Sequence, residues 1–376
     1  MLLNYWSVNI FGKANTFITI FKFIVPALVI IFLLMHLDVS NFSVGGAEPG
    51  GIHGIFSAVA AGGIVFTFQG FRQPIEFAGE SRRPQRDVPL AIILAVFVGL
   101  VIYLLLQFAF VGAAPGGMLQ SGGWASIEFD SPFAGLVATL GLGWLVNLIL
   151  IDAVISPTGT GNIYFSANAR SIYAWSKNGF FYSLFHKINP KTGVPRPALI
   201  LTFILSILWM LPAKFQVWEG LVTASTSATV LTYCVGPVSI MSLRKTNPDL
   251  NRPFKLRWIH LISPLAFIAA TLVIYWSGWD VVSMLVGVLF ASLVLYFAFA
   301  DKRISRQQLK MDIRSSLWLF GYYIFVAVMS LLGSFGPLKI IAAPWDTILT
   351  SLGILIFYYW GVATALPEAR ITDDDE

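Results

Sequence analysis

Four ionisable side chains lie within long apolar runs of the 376-residue sequence: Lys22, Arg72, Glu76 and Asp152. A charged group inside an apolar run is costly unless it has a partner or a task. An amine or a carboxylate in such a place can take up a proton, replace or bind a coupling ion, or pair with a charged ligand. These four residues are therefore the first candidates for functional chemistry.

Arg72 and Glu76 are four residues apart, so on a continuous helix they would form an ion pair. The same segment also favours a broken helix, because Gly70 tolerates non-helical geometry and Pro74 removes a backbone donor. Half-helix ends inside a membrane can line a cavity and bind a substrate. Two interpretations stay open: a self-neutralised pair, or part of a discontinuous helix over roughly 54–67 and 73–80.

Three aromatic residues surround this predicted break: Phe66, Phe68 and Phe71. They could cover a small substrate, or they could simply contribute packing or face lipid. Either use suits a large apolar ring.

Lys22 lies near the start of an apolar run, where its long side chain could extend to the cytoplasmic interface or bind carbonyl groups in the interior. Asp152 is surrounded by apolar residues and shares a helical face with Ser156. The hydroxyls of Ser156, Thr158 and Thr160 could complete a site for a cation or a proton. Alternatively, Asp152 has a structural role, bonding to hydroxyls or capping a half-helix.

The composition places these residues in a membrane protein. Charged residues make up 11% of the chain, hydrophobic residues 57%, and the mean hydropathy is +0.76. A soluble protein has about 25% charged residues, so an ordinary soluble enzyme, a disordered chain and a nucleic-acid-binding protein are excluded. One cysteine and four scattered histidines offer no metal site, and no nucleophile–base pair or phosphate loop is present. We expect no cofactor, no metal and no enzymatic activity.

Helical spans of about 20 apolar residues predict an all-α, polytopic membrane helix bundle. The ten candidates are 16–37, 54–79, 88–112, 144–169, 197–212, 218–242, 258–276, 280–300, 316–335 and 346–366. Residues 132–143 could extend the fourth span or form a short helix on the outer surface. Twenty of the 24 basic residues lie in the loops of one side, which the positive-inside rule assigns to the cytoplasm together with both termini. The start of the chain has no signal-peptide pattern.

Several segments stand in a specific order along the chain: Phe68-Gln69-Gly70-Phe71 through Glu80, 83–92, 156–161 with 169–174, 189–198 and Arg252-Pro253-Phe254-Lys255. Together they resemble the motifs of the amino acid–polyamine–organocation (APC) permeases. In that family an aromatic-rich break ending in Gly-Phe precedes a glutamate and the pattern NPQRDIPRAI.

The resemblance implies a partial leucine-transporter-like fold in which residues 1–376 form a single integral membrane transporter domain. The broken helix is the family's sixth span but the second one here, so the chain is expected to lack the first four helices and to hold helices five to twelve plus two more. The family's first helix normally supplies half of the substrate site.

The resemblance also implies roles for individual residues. Phe68, Gln69, Gly70 and Phe71 would contact substrate, together with the neighbouring candidates Phe66, Arg72 and Glu76. Lys22 matches a lysine that stands where related carriers bind sodium, which favours proton coupling or exchange. Arg72 could pair with a carboxylate, and within the family the sequence is most similar to aspartate–proton symporters.

The predicted function is a proton-coupled amino acid permease of the cell membrane, with acidic amino acids as the favoured substrates. Its expected partners are an amino acid, protons and the lipid bilayer, with no nucleic acid. The alternative is a non-transporting fragment, or a chain that needs a partner supplying helices one to four.

Overall fold

The computed structural model describes residues 8–44, 51–60, 63–120, 123–127, 129–179, 181–190, 192–210, 218–299 and 306–366. Within these ranges all regular secondary structure is helical. The predicted all-α class is therefore confirmed.

Fifteen α-helices lie in the described ranges, with short 3₁₀ turns at Val39–Ser43, Ala78–Glu80, Gly123–Ser126 and Ser183–His186. In chain order the α-helices are α1 Val8–Leu34, α2 Gly51–Ala60, α3 Ile64–Thr67, α4 Gln73–Glu76, α5 Pro84–Ala113, α6 Gly116–Gln120, α7 Pro132–Thr139, α8 Gly143–Lys177, α9 Arg196–Met210, α10 Trp218–Tyr233, α11 Val235–Thr246, α12 Ile259–Trp276, α13 Trp279–Phe299, α14 Arg306–Leu332 and α15 Trp345–Ala363.

Seven helical segments of the described chain are long and apolar enough to cross a membrane. They are Thr16–Leu34, Pro84–Ala113, Gly143–Lys177, Ser225–Thr246, Ile259–Trp276, Leu309–Leu332 and Trp345–Ala363. Shorter apolar helices lie where the sequence predicts the further spans: α2 and α3 near the second, and Arg196–Leu208 and Trp279–Val294 in the fifth and eighth. The chain is thus a multi-pass membrane protein.

The chain divides into two compact units, of which the first contains residues 1–51 and 70–210. Here α1 packs against α5 and α8, and its Val25, Val29 and Leu33 enter a buried cluster with Leu136 of α7 and Leu145 of α8. In a bilayer such contacts stabilise by close packing, because lipid is as apolar as the side chains themselves.

The loop after α1 also closes the end of α5. The Asn41 side-chain amide donates to the carbonyls of Val111, Gly112 and Ala114, at 3.2, 3.0 and 2.8 Å, so carbonyls at the end of the helix have a partner. Nearby, hydrogen bonds from the Ser40 hydroxyl and backbone N–H lower the pKa of the exposed Asp38 carboxyl.

The second unit contains residues 52–69 and 211–376. Its core is aromatic: Phe267 lies 5.2 Å from Tyr322 and 5.5 Å from Tyr358, measured between ring centroids. The hydroxyls of these two tyrosines each have a hydroxyl partner, Thr271 for Tyr322 at 2.9 Å and Ser263 for Tyr358 at 2.7 Å. Neither lipid nor apolar side chains could form these hydrogen bonds with the tyrosine hydroxyls.

One open alternative is decided and two predicted boundaries need correction. Of the two alternatives for residues 132–143, the structure has the short helix: α7 is separate from the fourth span, with Leu136 and Val137 buried. The predicted span 218–242 is divided at Cys234 into α10 and α11, although Cys234 keeps helical dihedral angles and Ser225–Thr246 still forms one spanning segment. The predicted span 144–169 continues as α8 to Lys177, because helical hydrogen bonding does not stop where the apolar residues do.

Candidate functional site

The predicted interruption of the second span is present. Helix α3 ends at Thr67 and α4 begins at Gln73, and between them Gly70 adopts φ +104°, which an L side chain rarely takes. The half-helices are shorter than predicted. Residues 54–67 are not one helix, because α2 ends at Ala60 and α3 starts after Gly63 at φ +85°. Residues 73–80 divide into α4 and a 3₁₀ turn.

The side of the break that belongs to the second unit carries Phe66, Phe68 and Gln69. The Gln69 side-chain amide donates to the carbonyl of Thr226 in α10, at 3.3 Å, and so ties the end of this half to a spanning helix. Phe66 is 40% exposed and Phe68 is half-buried. Their predicted role in covering a substrate stays a prediction.

The side that belongs to the first unit carries Gly70, Phe71, Arg72 and Glu76, and the last three are half-buried. Arg72 is the N-terminal flanking residue of α4 and Glu76 is its last residue. Glu76 accepts a hydrogen bond from the Ser171 hydroxyl of α8 at 3.1 Å. The predicted ion pair between Arg72 and Glu76 stays a prediction.

A polar stripe runs along α8, formed by residues that recur every fourth position: Asp152, Ser156, Thr160 and Tyr164. The Ser156 hydroxyl donates to the Asp152 carboxylate, and the Thr160 hydroxyl donates to the Ser156 carbonyl at 3.1 Å.

Lys22 of α1 reaches this stripe. Its ammonium donates to the Thr160 hydroxyl, and the Asp152 carboxylate interacts with it electrostatically. The Lys22 side chain thus turns to a partner inside the protein, but this partner is a hydroxyl and not the carbonyl groups that the interior interpretation named. Lys22, Asp152, Ser156 and Thr160 thus come together in one cluster, which we name the Lys22 cluster.

Thr158 does not belong to this cluster. It lies on another face of α8, where it is exposed, and its hydroxyl donates to the Val154 carbonyl at 2.7 Å. Pro157 does not break α8 either, which continues through it. Just after Pro157, the hydroxyls of Thr158 and Thr160 donate hydrogen bonds to the carbonyls of Val154 and Ser156, one turn earlier in α8.

A glycine sets the distance between α1 and α8. Gly159 is buried, and a Cβ atom at that position would overlap the Ile18 side chain of α1. Because Ile18 is one helical turn from Lys22, the close approach at Gly159 brings the ammonium within reach of Thr160.

Three residues of interest were not predicted from the sequence. Tyr164 continues the fourfold spacing of the stripe and could have been found by extending it, and Ser171 is the partner of Glu76. Asp346 is fully buried and accepts hydrogen bonds from the Tyr275 hydroxyl at 2.6 Å and from the Ser334 backbone and hydroxyl. The sequence does not single out Asp346 because it is the first residue of the predicted span 346–366. A carboxylate at that position is expected to lie at the membrane interface, in contact with water.

No group of three or more His, Cys, Asp or Glu side chains that could hold a metal ion occurs in the part of the chain that the structure describes. The chemistry available in the Lys22 cluster is therefore that of an ammonium, a carboxylate and hydroxyls. Such groups can exchange protons and hold one another in place.

Comparison with known proteins defines the class. Residues 1–311 match the family model described as amino acid permease, and the chain belongs to that family. It is 43% identical over 377 residues to the aspartate-proton symporter of Bacillus subtilis (strain 168), covering 99% of this chain and 72% of the relative. It is 38% identical over 379 residues to the glutamate/serine transporter AimA of the same organism, covering 100% and 70%.

A more distant relative is the branched-chain amino acid permease BcaP of the same organism, 25% identical over 300 residues, 80% of this chain and 62% of the relative. The resemblance inferred from the motifs is thus confirmed, and the chain is an amino acid permease rather than an enzyme.

Proposed function

We propose that this permease carries an acidic amino acid across the cell membrane together with protons, with both termini in the cytoplasm and residues 1–376 acting as one transporter domain. The observation that carries the proposal is the Lys22 cluster, in which a fixed ammonium is bonded to Thr160 beside Asp152. The proposal is supported by the two relatives whose names mention aspartate with protons and glutamate.

The cluster supplies a way to couple a proton to helix movement. The ammonium of Lys22 occupies the place where, by resemblance, related carriers hold sodium, so a sodium ion is not needed there. Ionised Asp152 attracts Lys22, and uptake of a proton by Asp152 removes that attraction. Protonation would therefore loosen the hold of α1 on α8, and deprotonation would restore it.

The broken helix supplies the substrate groups. In this proposal the Arg72 guanidinium pairs with a carboxylate of the substrate, because its planar fork of donors matches two carboxylate oxygens. Backbone groups from Gln69 to Phe71 approach the substrate, and the rings of Phe66, Phe68 and Phe71 exclude water. Glu76, which accepts a hydrogen bond from Ser171, lies at the last residue of α4.

The decisive experiment is uptake of labelled aspartate by the purified 376-residue chain in proteoliposomes. Uptake should require an imposed pH gradient, acid outside, should stop with a protonophore, and should be the same in sodium and in choline buffer. Uptake that depends on sodium and ignores the protonophore would contradict proton coupling. Uptake by this chain alone would also exclude the alternative that a partner chain must complete it.

A further inference from the structure

Gln73 follows directly after the break and carries a buried acceptor that has no partner. The side chain is 7% exposed, and its carbonyl oxygen Oε1 makes no hydrogen bond within the described part of the chain. An unsatisfied buried acceptor costs about 1–3 kcal/mol, so native proteins rarely keep one without a use. Gln73 was not among the residues predicted from the sequence.

The unpartnered oxygen lies beside the backbone of Gly70. A Cβ atom placed on Gly70 would be 3.9 Å from the Gln73 Oε1 atom and 3.5 Å from the Tyr164 hydroxyl. Since glycine has no such atom, one side of the Gly70 backbone is flanked by two oxygens and by no side chain of its own. Both oxygens can accept a hydrogen bond.

The chemistry beside Gly70 selects the kind of group that these two oxygens would receive. Two oxygen acceptors favour a donor, and an ammonium offers three N–H donors. The guanidinium of the neighbouring Arg72 carries only donors and a positive charge, which favour a carboxylate, and its charge also acts on the Tyr164 hydroxyl. A zwitterionic amino acid carries an ammonium and a carboxylate within a few bonds of each other.

We propose that Gln73 Oε1, with the Tyr164 hydroxyl beside it, receives the ammonium group of the bound amino acid while Arg72 holds a carboxylate. This inference rests on the proposed function and deepens it. It makes Gln73 a residue that distinguishes amino acids from carboxylic acids of the same shape.

The test measures binding to the purified, detergent-solubilised full chain, by displacement of labelled aspartate. Gln73→Met keeps the length of the side chain but removes the acceptor, and Gln73→Glu keeps an acceptor. We expect Gln73→Met to weaken aspartate binding about tenfold or more, equivalent to about 1.4 kcal/mol, and Gln73→Glu to stay within about threefold of wild type. Displacement by succinate, which lacks the ammonium, should be the same for wild type and Gln73→Met.

Gln107→Met, on an exposed face of α5, is the matched control and should bind like wild type. Tyr164→Phe is the second variant, to be used if Gln73→Met does not fold. It removes only a hydroxyl and is also expected to weaken aspartate binding. Unchanged aspartate binding in Gln73→Met, equal weakening of aspartate and succinate, or loss in Gln73→Glu as severe as in Gln73→Met would overturn the inference. If wild type binds no amino acid, it is the proposed function that fails.

Discussion

The hydroxyl of Thr160 is the residue-scale link between two helices. It donates to the Ser156 carbonyl on its own helix and accepts from the Lys22 ammonium of α1. A hydroxyl can do both at once because it has one proton and two lone pairs. The fixed charge of Lys22 is therefore held by a group that is itself oriented by α8, with Asp152 supplying the opposite charge nearby.

We predict that Thr160→Val reduces proton-driven aspartate uptake about tenfold or more, because the isosteric valine leaves the Lys22 ammonium without its hydroxyl acceptor. Initial uptake rates in proteoliposomes measure this. Thr158→Val is the matched control, since Thr158 is exposed and bonds only to the Val154 carbonyl in the contacts described. Equal losses in the two variants would mean that the polar stripe has no special part in coupling.

We predict that Arg72→Gln lowers uptake of aspartate about tenfold or more and leaves uptake of serine within about threefold of wild type. Glutamine keeps a donor but loses the charge and the forked geometry that fit a second carboxylate. Side-by-side uptake of the two labelled amino acids measures the selectivity. A proportional loss for both would show that Arg72 supports the fold of the break rather than its choice of substrate.

At the residue scale, the sequence drew attention to particular charged and hydroxyl residues but not to what they contact. Lys22, Asp152, Ser156 and Thr160 were all singled out, and the structure brings them together. Thr158 was grouped with them by proximity in sequence, whereas the helical period turns it away. The Gln73 acceptor could not have been found this way, since a glutamine is recognised as unpartnered only when its surroundings are known.

At the scale of elements, the contact between α1 and α8 depends on a missing side chain. Small residues let membrane helices approach closely, and the contact of Gly159 with Ile18 is of this kind. In the sequence, Gly159 is only one residue of the matching segment 156–161. Its structural use is clear only from the neighbour that fills the space, and α8 remains continuous around it.

We predict that Gly159→Ala destabilises the protein by about 1–3 kcal/mol, because the added methyl group must displace Ile18. Thermal unfolding in detergent should show a lower midpoint, and the added substitution Ile18→Ala should recover part of the loss. Gly161→Ala is the matched control on the same helix, since a Cβ there meets nothing within 4 Å. If Gly161→Ala costs as much as Gly159→Ala, loss of glycine rather than crowding is responsible.

Hydropathy predicted the spanning elements well because the requirement for about 20 apolar residues acts on every span alike. The ends of helices were harder to predict where the apolar run and the helix do not end at the same residue. The apolar run continues past Cys234, where α10 gives way to α11, and α8 continues to Lys177 beyond the end of its apolar run. The break at Gly70 was predictable because glycine and proline flank it, two residues with a direct effect on backbone geometry.

On the scale of the whole molecule, the distribution of charge carries the information about orientation. Twenty of the 24 basic residues occur in the loops of one predicted side, and large apolar side chains stay exposed along the spans, as for Phe97 at 62% and Leu104 at 61%. Exposed apolar surface of this kind is what lipid contact would cover, and the positive-inside rule predicts that the basic side faces the cytoplasm.

We predict that Val39, in the loop after α1, faces the outside and that Arg82, before α5, faces the cytoplasm. Val39→Cys and Arg82→Cys would each be made with Cys234→Ser, which removes the only native thiol, itself buried. Because Val39 is 72% exposed and Arg82 is also exposed, both introduced thiols should be accessible to reagent. A membrane-impermeant maleimide should label Val39→Cys in intact cells and Arg82→Cys only after permeabilisation. The reverse pattern would invert the orientation, and labelling of both in intact cells would mean that the broken second span between them, residues 54–79, does not cross the bilayer.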